Sequence, residues 1–192
     1  MTVIAIEGKP RTGKTLLMTI LAFADCINGS EIFSNYTMKF SQHPKMDVYD
    51  MLQIPFNDVD RNPKSLCIQE ADKIFDSWQR TEENRLLSSL TGQSGKRNLN
   101  IYYDTQFYTR VQKSLRAVTE FKFLCSCYVR ADTKQPVGFE YTLGESLGND
   151  TFGVISKIRL PVDTKINGYR IDQYYNMYDS YETTQPLRQE RN

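Results

Sequence analysis

A chain of 192 residues is long enough for one α/β domain with a buried core. Its 24 basic and 23 acidic residues leave a net charge of +1, which excludes a protein that coats nucleic acid with its whole surface but leaves a local basic lining open. Cys26, Cys67, Cys125 and Cys127 lie in apolar surroundings without a pair at zinc spacing, and they read as reduced core thiols of a cytosolic protein. The longest apolar region, residues 16–24, falls short of the ~20 residues a bilayer span needs, and no signal peptide is expected. The expected location is therefore cytoplasmic, with a membrane reached only through a partner. His43, in the polar run Ser41-Gln42-His43-Pro44, reads as a surface residue.

In chain order, Thr2–Glu7 reads as a buried strand and Leu16–Leu21 as the start of a helix. Between them Gly8-Lys9-Pro10-Arg11-Thr12-Gly13-Lys14-Thr15 fits G-x-x-x-x-G-K-[ST], the phosphate-loop pattern, in the strand–loop–helix setting it requires. The glycines let backbone N–H groups turn inward as an anion nest, and the helix N-terminus adds partial positive charge. ATP is the expected ligand, on the N–H groups of residues 10–16, Leu16 included. Lys14 is expected at the β- and γ-phosphates and the Thr15 hydroxyl on Mg²⁺. The helix is expected from Lys14 to Asn28, stopped by Asn28-Gly29, and a second strand over Glu31–Tyr36. Residues 41–64 read as variable, with a short helix around Val48, Met51 and Leu52.

Ser65-Leu66-Cys67-Ile68-Gln69-Glu70 is a short apolar strand ending in an acid, the form of a Walker B element. Such a strand is expected beside the phosphate-loop strand, with its end at the γ-phosphate. Gln69 stands where an Asp would hold a metal-bound water, and its amide oxygen is expected to take over that contact. Glu70 is the expected base. Ile74, Phe75 and Trp78 share one helical face, and a further helix starts near Thr81, with Leu86, Leu87 and Leu90 inward. The strand Leu99–Asp104 runs into Thr105-Gln106, where the Gln106 amide can both donate to a phosphate and accept from the attacking water. A helix is expected over Phe107–Val118, with Arg110, Lys113 and Arg116 outward. Phe121–Val129, the alternating residues Val137 to Leu143, and Val154 to Leu160 predict an antiparallel extension. The tyrosine-rich residues 169–181 suit a purine clamp, a subunit interface or a folded tail on the sheet.

With these pieces in place the sequence resembles the Zot-like family, of the FtsK–HerA type of phosphate-loop ATPases that includes viral genome-packaging motors. The likeness rests on Gly8–Thr15, Ile32–Tyr36, Leu66–Ala71, Gln93–Arg97, Asp104-Thr105-Gln106 and Leu115-Arg116, roughly the first two thirds of the chain. It implies a RecA-like P-loop NTPase fold with a mainly parallel central sheet flanked by helices. It implies ATP hydrolysis coupled to DNA movement by a homo-oligomeric ring whose lining holds the DNA, with a viral capsid or assembly protein as a further partner. Glu70 matches the catalytic carboxylate and Gln106 the sensor. Arg97 and Arg116, ahead of Arg110, are candidates for an arginine acting in trans. Gln69 departs from the family's Asp, and no membrane span follows the ATPase region, which favours packaging over extrusion. Residues 1–182 are expected as a single P-loop ATPase domain and 183–192 as a flexible polar tail. A small-molecule kinase and a non-hydrolysing ATP-binding assembly module are the competing readings. A GTPase is excluded, since the sequence holds no Asn-Lys-x-Asp guanine reader.

Overall fold

The computed structural model describes residues 2–54, 63–79, 81–92, 98–132 and 136–179. The first half forms β1 (Thr2–Glu7), α1 (Lys14–Ile27), β2 (Glu31–Ser34), α2 (Val48–Leu52), β3 (Lys64–Ile68), α3 (Ala71–Ile74) and α4 (Glu82–Gly92). Then come β4 (Leu99–Thr105), a 3-10 turn (Tyr108–Arg110), α5 (Lys113–Ala117), β5 (Phe121–Val129), β6 (Pro136–Gly148) and β7 (Thr151–Pro161). A small hairpin, β8 (Lys165–Ile166) with β9 (Tyr169–Arg170), and α6 (Ile171–Tyr174) end the described chain.

The large sheet has the order β2-β3-β4-β1-β5-β6-β7. Neighbours from β2 to β5 run parallel, and β6 and β7 add the expected antiparallel extension. One expectation is corrected. β3 does not lie beside the phosphate-loop strand, because β1 is hydrogen-bonded on both sides, to β4 and β5. β4 sits between them, with Asp104 opposite Ile6 and Tyr103 opposite Ile68.

Side chains alternate across the sheet with a period of two. Val3, Ala5, Leu66, Ile68, Ile101 and Tyr103 belong to one buried cluster, closed by residues of α2, α4 and α5 such as Met51, Leu87, Leu90 and Leu115. Ile6, Cys67 and Tyr102 belong to the other, closed by Leu16, Leu17 and Ile20 of α1 and by Ile171 and Tyr174 of α6. The far end of α1 is pinned beneath the sheet. Asp25 accepts hydrogen bonds from the Tyr102 hydroxyl at 2.7 Å, the Asn100 amide at 3.1 Å and the Ser65 hydroxyl. This fixes the direction in which the front of the helix points.

Three further readings change. The helix expected over Phe107–Val118 is broken, since Val111 is extended and bridges Asp76, while Ser77 N–H donates to Arg110 O and Gln112 N–H to Phe75 O. That pairing consumes backbone groups a continuous helix would have used. α3 ends at Ile74, so Phe75 is buried while Trp78, turned by the Asp76 side chain, is 87% exposed. His43 is half-buried, stacked on Phe33 at 4.1 Å and 3.4 Å from Glu31. Cys67 and Cys125 are buried thiols as expected, whereas Cys26 and Cys127 are only half-buried; burial pushes Cys125 up to about 12.

Of the alternatives for the tyrosine-rich segment, the folded tail is the one seen as far as residue 179. Ile171, Tyr174 and Tyr178 join the α1-side core, and Tyr178 bridges Met38. The tail at 183–192 lies outside the described residues, as does the Gln93–Arg97 stretch. Among the described residues no helix is long and apolar enough to cross a membrane.

Ile171→Ala should lower stability by about 2–5 kcal/mol, as a deleted core side chain does, while Ile155→Ala on exposed β7 should stay within about 0.5 kcal/mol. Urea unfolding of both variants checks this; equal, small effects would show that the C-terminal segment is not docked.

Candidate functional site

Strand β1 ends at Glu7 and the chain leaves the sheet as a loop, tied at its root by Gly8 N–H donating to Thr105 O at 3.2 Å. Arg11 and Gly13 both adopt left-handed backbone, with φ of 64° and 85°. Alternation of such residues with ordinary ones turns successive N–H groups to one side. Glycine is required at 13 for a second reason: a Cβ there would stand 2.5 Å from the Phe139 ring and 2.7 Å from the Tyr141 hydroxyl, which donates to Gly13 O. Helix α1 begins at Lys14 with no side-chain cap and no acid in its first turn. Its first internal bond is Leu17 N–H to Gly13 O, so the helix does not use the N–H groups of Lys14, Thr15 and Leu16. Lys14 Nζ reaches across the loop to Lys9 O at 3.1 Å, and the Thr12 hydroxyl donates to the same carbonyl. The loop thus offers backbone donors, a helix N-terminus and an ammonium to one anion.

The ends of β2, β3 and β4 meet this loop from the side. Asn35 holds the backbone of Gln69 on both edges, accepting from its N–H at 2.7 Å and donating to its carbonyl at 3.0 Å. The Gln69 side-chain amide then donates to the Thr15 hydroxyl at 3.3 Å. That hydroxyl donates in turn to Asp104, also at 3.3 Å, and the Glu70 N–H donates to the other Asp104 oxygen at 2.7 Å. Glu70 itself is held in left-handed backbone at φ 57°, a costly conformation for a residue with a side chain. Its carboxylate pairs with Lys73 at 2.7 Å. Burial pushes the Asp104 carboxyl up to about 6, opposed by the Glu70 N–H, the Lys14 ammonium and the Thr15 hydroxyl.

No family model and no curated protein sequence matches the chain. Solved structures do. The N-terminal domain of zonular occludens toxin from Neisseria meningitidis aligns with a TM-score of 0.58 at 14% identity, covering 93% of this chain and 98% of that one. The DNA-packaging ATPase B204 from Sulfolobus turreted icosahedral virus aligns at 0.51 and 12% identity, covering 82% and 98%. The genome packaging NTPase B204 from Sulfolobus turreted icosahedral virus 2, in complex with ATP-gammaS, aligns at 0.50 and 11% identity with the same coverages. The fold is that of a RecA-like P-loop NTPase. At these identities the likeness is one of fold.

The residues fit a nucleotide and a hydrated magnesium ion. The Thr15 hydroxyl spends its proton on Asp104 and one lone pair on Gln69, which leaves a second lone pair for a hard cation. Among the described residues no group of three or more His, Cys, Asp or Glu could hold a metal ion; an Mg²⁺ at Thr15 would take the rest of its shell from phosphate oxygens and water. Beside the loop lies a cleft of about 590 Å³ lined by residues 7–12 and by Leu124, Cys125, Cys127 and Val129 of β5.

The remaining predicted site residues are placed unequally. Gln106 is half-buried just past β4, with its N–H on the Asp72 carboxylate at 3.3 Å. Arg116 is not outward. Its Nε donates to Val111 O at 2.8 Å, its guanidinium pairs with Asp150 in the β6–β7 turn, and it lies over the Tyr108 ring. Arg110 is exposed, over Phe107 at 4.8 Å. Arg97 lies outside the described residues. The sequence reading missed Asn35 and the part played by Asp104. The signal for Asp104 was its parity: on β4 it alternates onto the same face as Tyr102, the face α1 covers.

Asn35→Ala removes both bonds to the Gln69 backbone and should cost about 1–3 kcal/mol in denaturant unfolding. A change below about 0.5 kcal/mol would show that the β3 end does not depend on this clamp.

Proposed function

We propose that this chain is an ATP-driven DNA translocase, most closely a genome-packaging motor of a virus or mobile element, working as a ring of identical subunits. The observation that carries the nucleotide part is the convergence at Thr15 of the uncapped α1 N-terminus and the ends of β3 and β4, with the Lys14 ammonium folded over the same loop onto Lys9 O. The DNA part draws on likeness to B204, described as a DNA-packaging ATPase, and is a proposal for this chain.

In this reading the N–H groups of residues 10–16 bind the phosphates, and Lys14 exchanges the Lys9 carbonyl for terminal phosphate oxygens. The apolar part of the cleft along Leu124 and Val129 receives the nucleoside. Mg²⁺, when bound, neutralises charge on the β- and γ-phosphate oxygens. Glu70 orients and deprotonates the attacking water, once freed from exposed Lys73, a pair held weakly at the surface. Gln106 bridges phosphate and water. A neighbouring subunit supplies an arginine. The Asp150 pair ties Arg116 within its own chain, so exposed Arg110 is the better supported donor of the two, with Arg97 still a candidate. DNA affinity comes from the lining of the ring, through phosphate contacts, because one subunit carries a net charge of only +1. A capsid or assembly protein would dock such a ring in the cytoplasm of a host. The Glu70–Lys73 pair also supports a second reading, in which ATP orders a ring without being hydrolysed.

Steady-state turnover and nucleotide titration separate these readings. Lys14→Ala should weaken ATP binding about tenfold or more. Glu70→Gln should bind ATP while turnover falls about 10²-fold or more, and DNA should raise the parent's rate. Binding without turnover in the parent, with or without DNA, would favour the assembly module. Unchanged binding by Lys14→Ala would remove the loop assignment.

A further inference from the structure

The acid expected beside the metal is absent from β3, where Gln69 stands, yet the Thr15 hydroxyl is met from two sides at 3.3 Å. Gln69 presents its amide nitrogen, a donor, which attracts no cation. Asp104 presents a carboxylate oxygen. Its register explains the reach: Asp104 pairs with Ile6 on β1 directly, whereas residue 69 is two strands from β1. At roughly 4.8 Å per strand, the acid on β4 stands one strand nearer the loop than a residue on β3. A short aspartate suffices from there. Asp104 is almost wholly buried, at 2% exposure. Oδ1 takes the Glu70 N–H and Oδ2 the Thr15 proton, so each oxygen keeps acceptor capacity beyond the one hydrogen bond it takes. A buried carboxylate facing a cation's hydroxyl ligand, with capacity to spare, is suited to a water of that cation's shell.

Resting on the Mg²⁺–ATP reading of the loop, we infer that Asp104 is the acidic residue that holds the water shell of Mg²⁺ at Thr15, and that Gln69 orients the Thr15 hydroxyl rather than the metal. The acid has moved from β3 to β4, and a neutral amide at 69 avoids a second carboxylate beside it. Asp104 also ties the Glu70 N–H to the same carboxylate, so metal and base are positioned through one side chain.

The test is ATPγS binding by calorimetry, in EDTA and in saturating Mg²⁺, for the parent, Asp104→Asn and the swap Gln69→Glu/Asp104→Asn, in which Glu keeps the side-chain length that reaches Thr15 from position 69. In EDTA Asp104→Asn should bind no more weakly than the parent, since a negative charge near the phosphates is gone. In Mg²⁺ it should lose about tenfold of the parent's gain. The swap should recover most of that gain. With Mn²⁺ in place of Mg²⁺, electron paramagnetic resonance should show more free Mn²⁺ for Asp104→Asn at equal ATPγS. Should Asp104→Asn fail to fold by circular dichroism, Asp104→Glu keeps the charge one methylene out of place and should lose severalfold of the gain. A full Mg²⁺ gain in Asp104→Asn, or in Asp104→Glu if that variant is used, overturns the inference. A parent that binds ATPγS with no Mg²⁺ gain also overturns it while sparing the loop. A parent that binds no ATPγS at all overturns the loop reading beneath it.

Discussion

Everything at the site depends on the parallel pairing of β1 with β4. Six residue pairs, from Thr2 with Asn100 to Glu7 with Thr105, set the register, and Gly8 N–H on Thr105 O extends it one step into the loop. The loop therefore leaves the sheet at the level where β4 ends. Because β5 occupies the other edge of β1, the loop cannot slide sideways without breaking two ladders. α1 is then fixed at both ends, by the loop in front and by the Asp25 hydrogen bonds behind. With strand and helix both set, Thr15 has one place to go, against Asp104 and Gln69.

The same few residues carry the unfavourable features of the fold. Asp104 is a buried carboxylate, and Glu70 and Arg11 hold backbone conformations that side chains disfavour. Each is supported by its neighbours: Glu70 N–H on Asp104, Asn35 around Gln69, and the glycines that let Phe139 and Cys125 close on the loop. Strain and buried charge gathered at the C-terminal ends of the parallel strands are what a preorganised anion and cation site requires. They also give a reason for the neutral residue at 69. A carboxylate there would sit one strand spacing from Asp104, a repulsion of about 3 kcal/mol at ~5 Å and an effective dielectric near 20.

Much of this was legible in the sequence. The strand, loop and helix from Thr2 to Ile27, the parallel core and the antiparallel extension followed from apolar runs, glycine placement and period-two alternation. Lateral strand order did not, because buried parallel strands read alike, and the placing of β4 between β3 and β1 changes which residue reaches Thr15. The break in the helix at Val111 was hidden for a similar reason: its cause is a bridge to Asp76, 35 positions earlier. Arg116 read as a solvated base because its partner, Asp150, lies in a turn that only the β6–β7 hairpin brings near. Local pattern gave the elements, and long-range pairing decided which side chains share the site.

The most direct measurement of the central claim is a crystal structure of the chain with ATPγS and Mg²⁺. Phosphates should lie along the N–H groups of residues 10–16, the thiophosphate between Lys14 and the Glu70–Gln106 side, and a metal on Thr15 with one of its waters on Asp104. Nucleotide density away from the loop, or a metal whose shell ignores the β4 end, would contradict that claim.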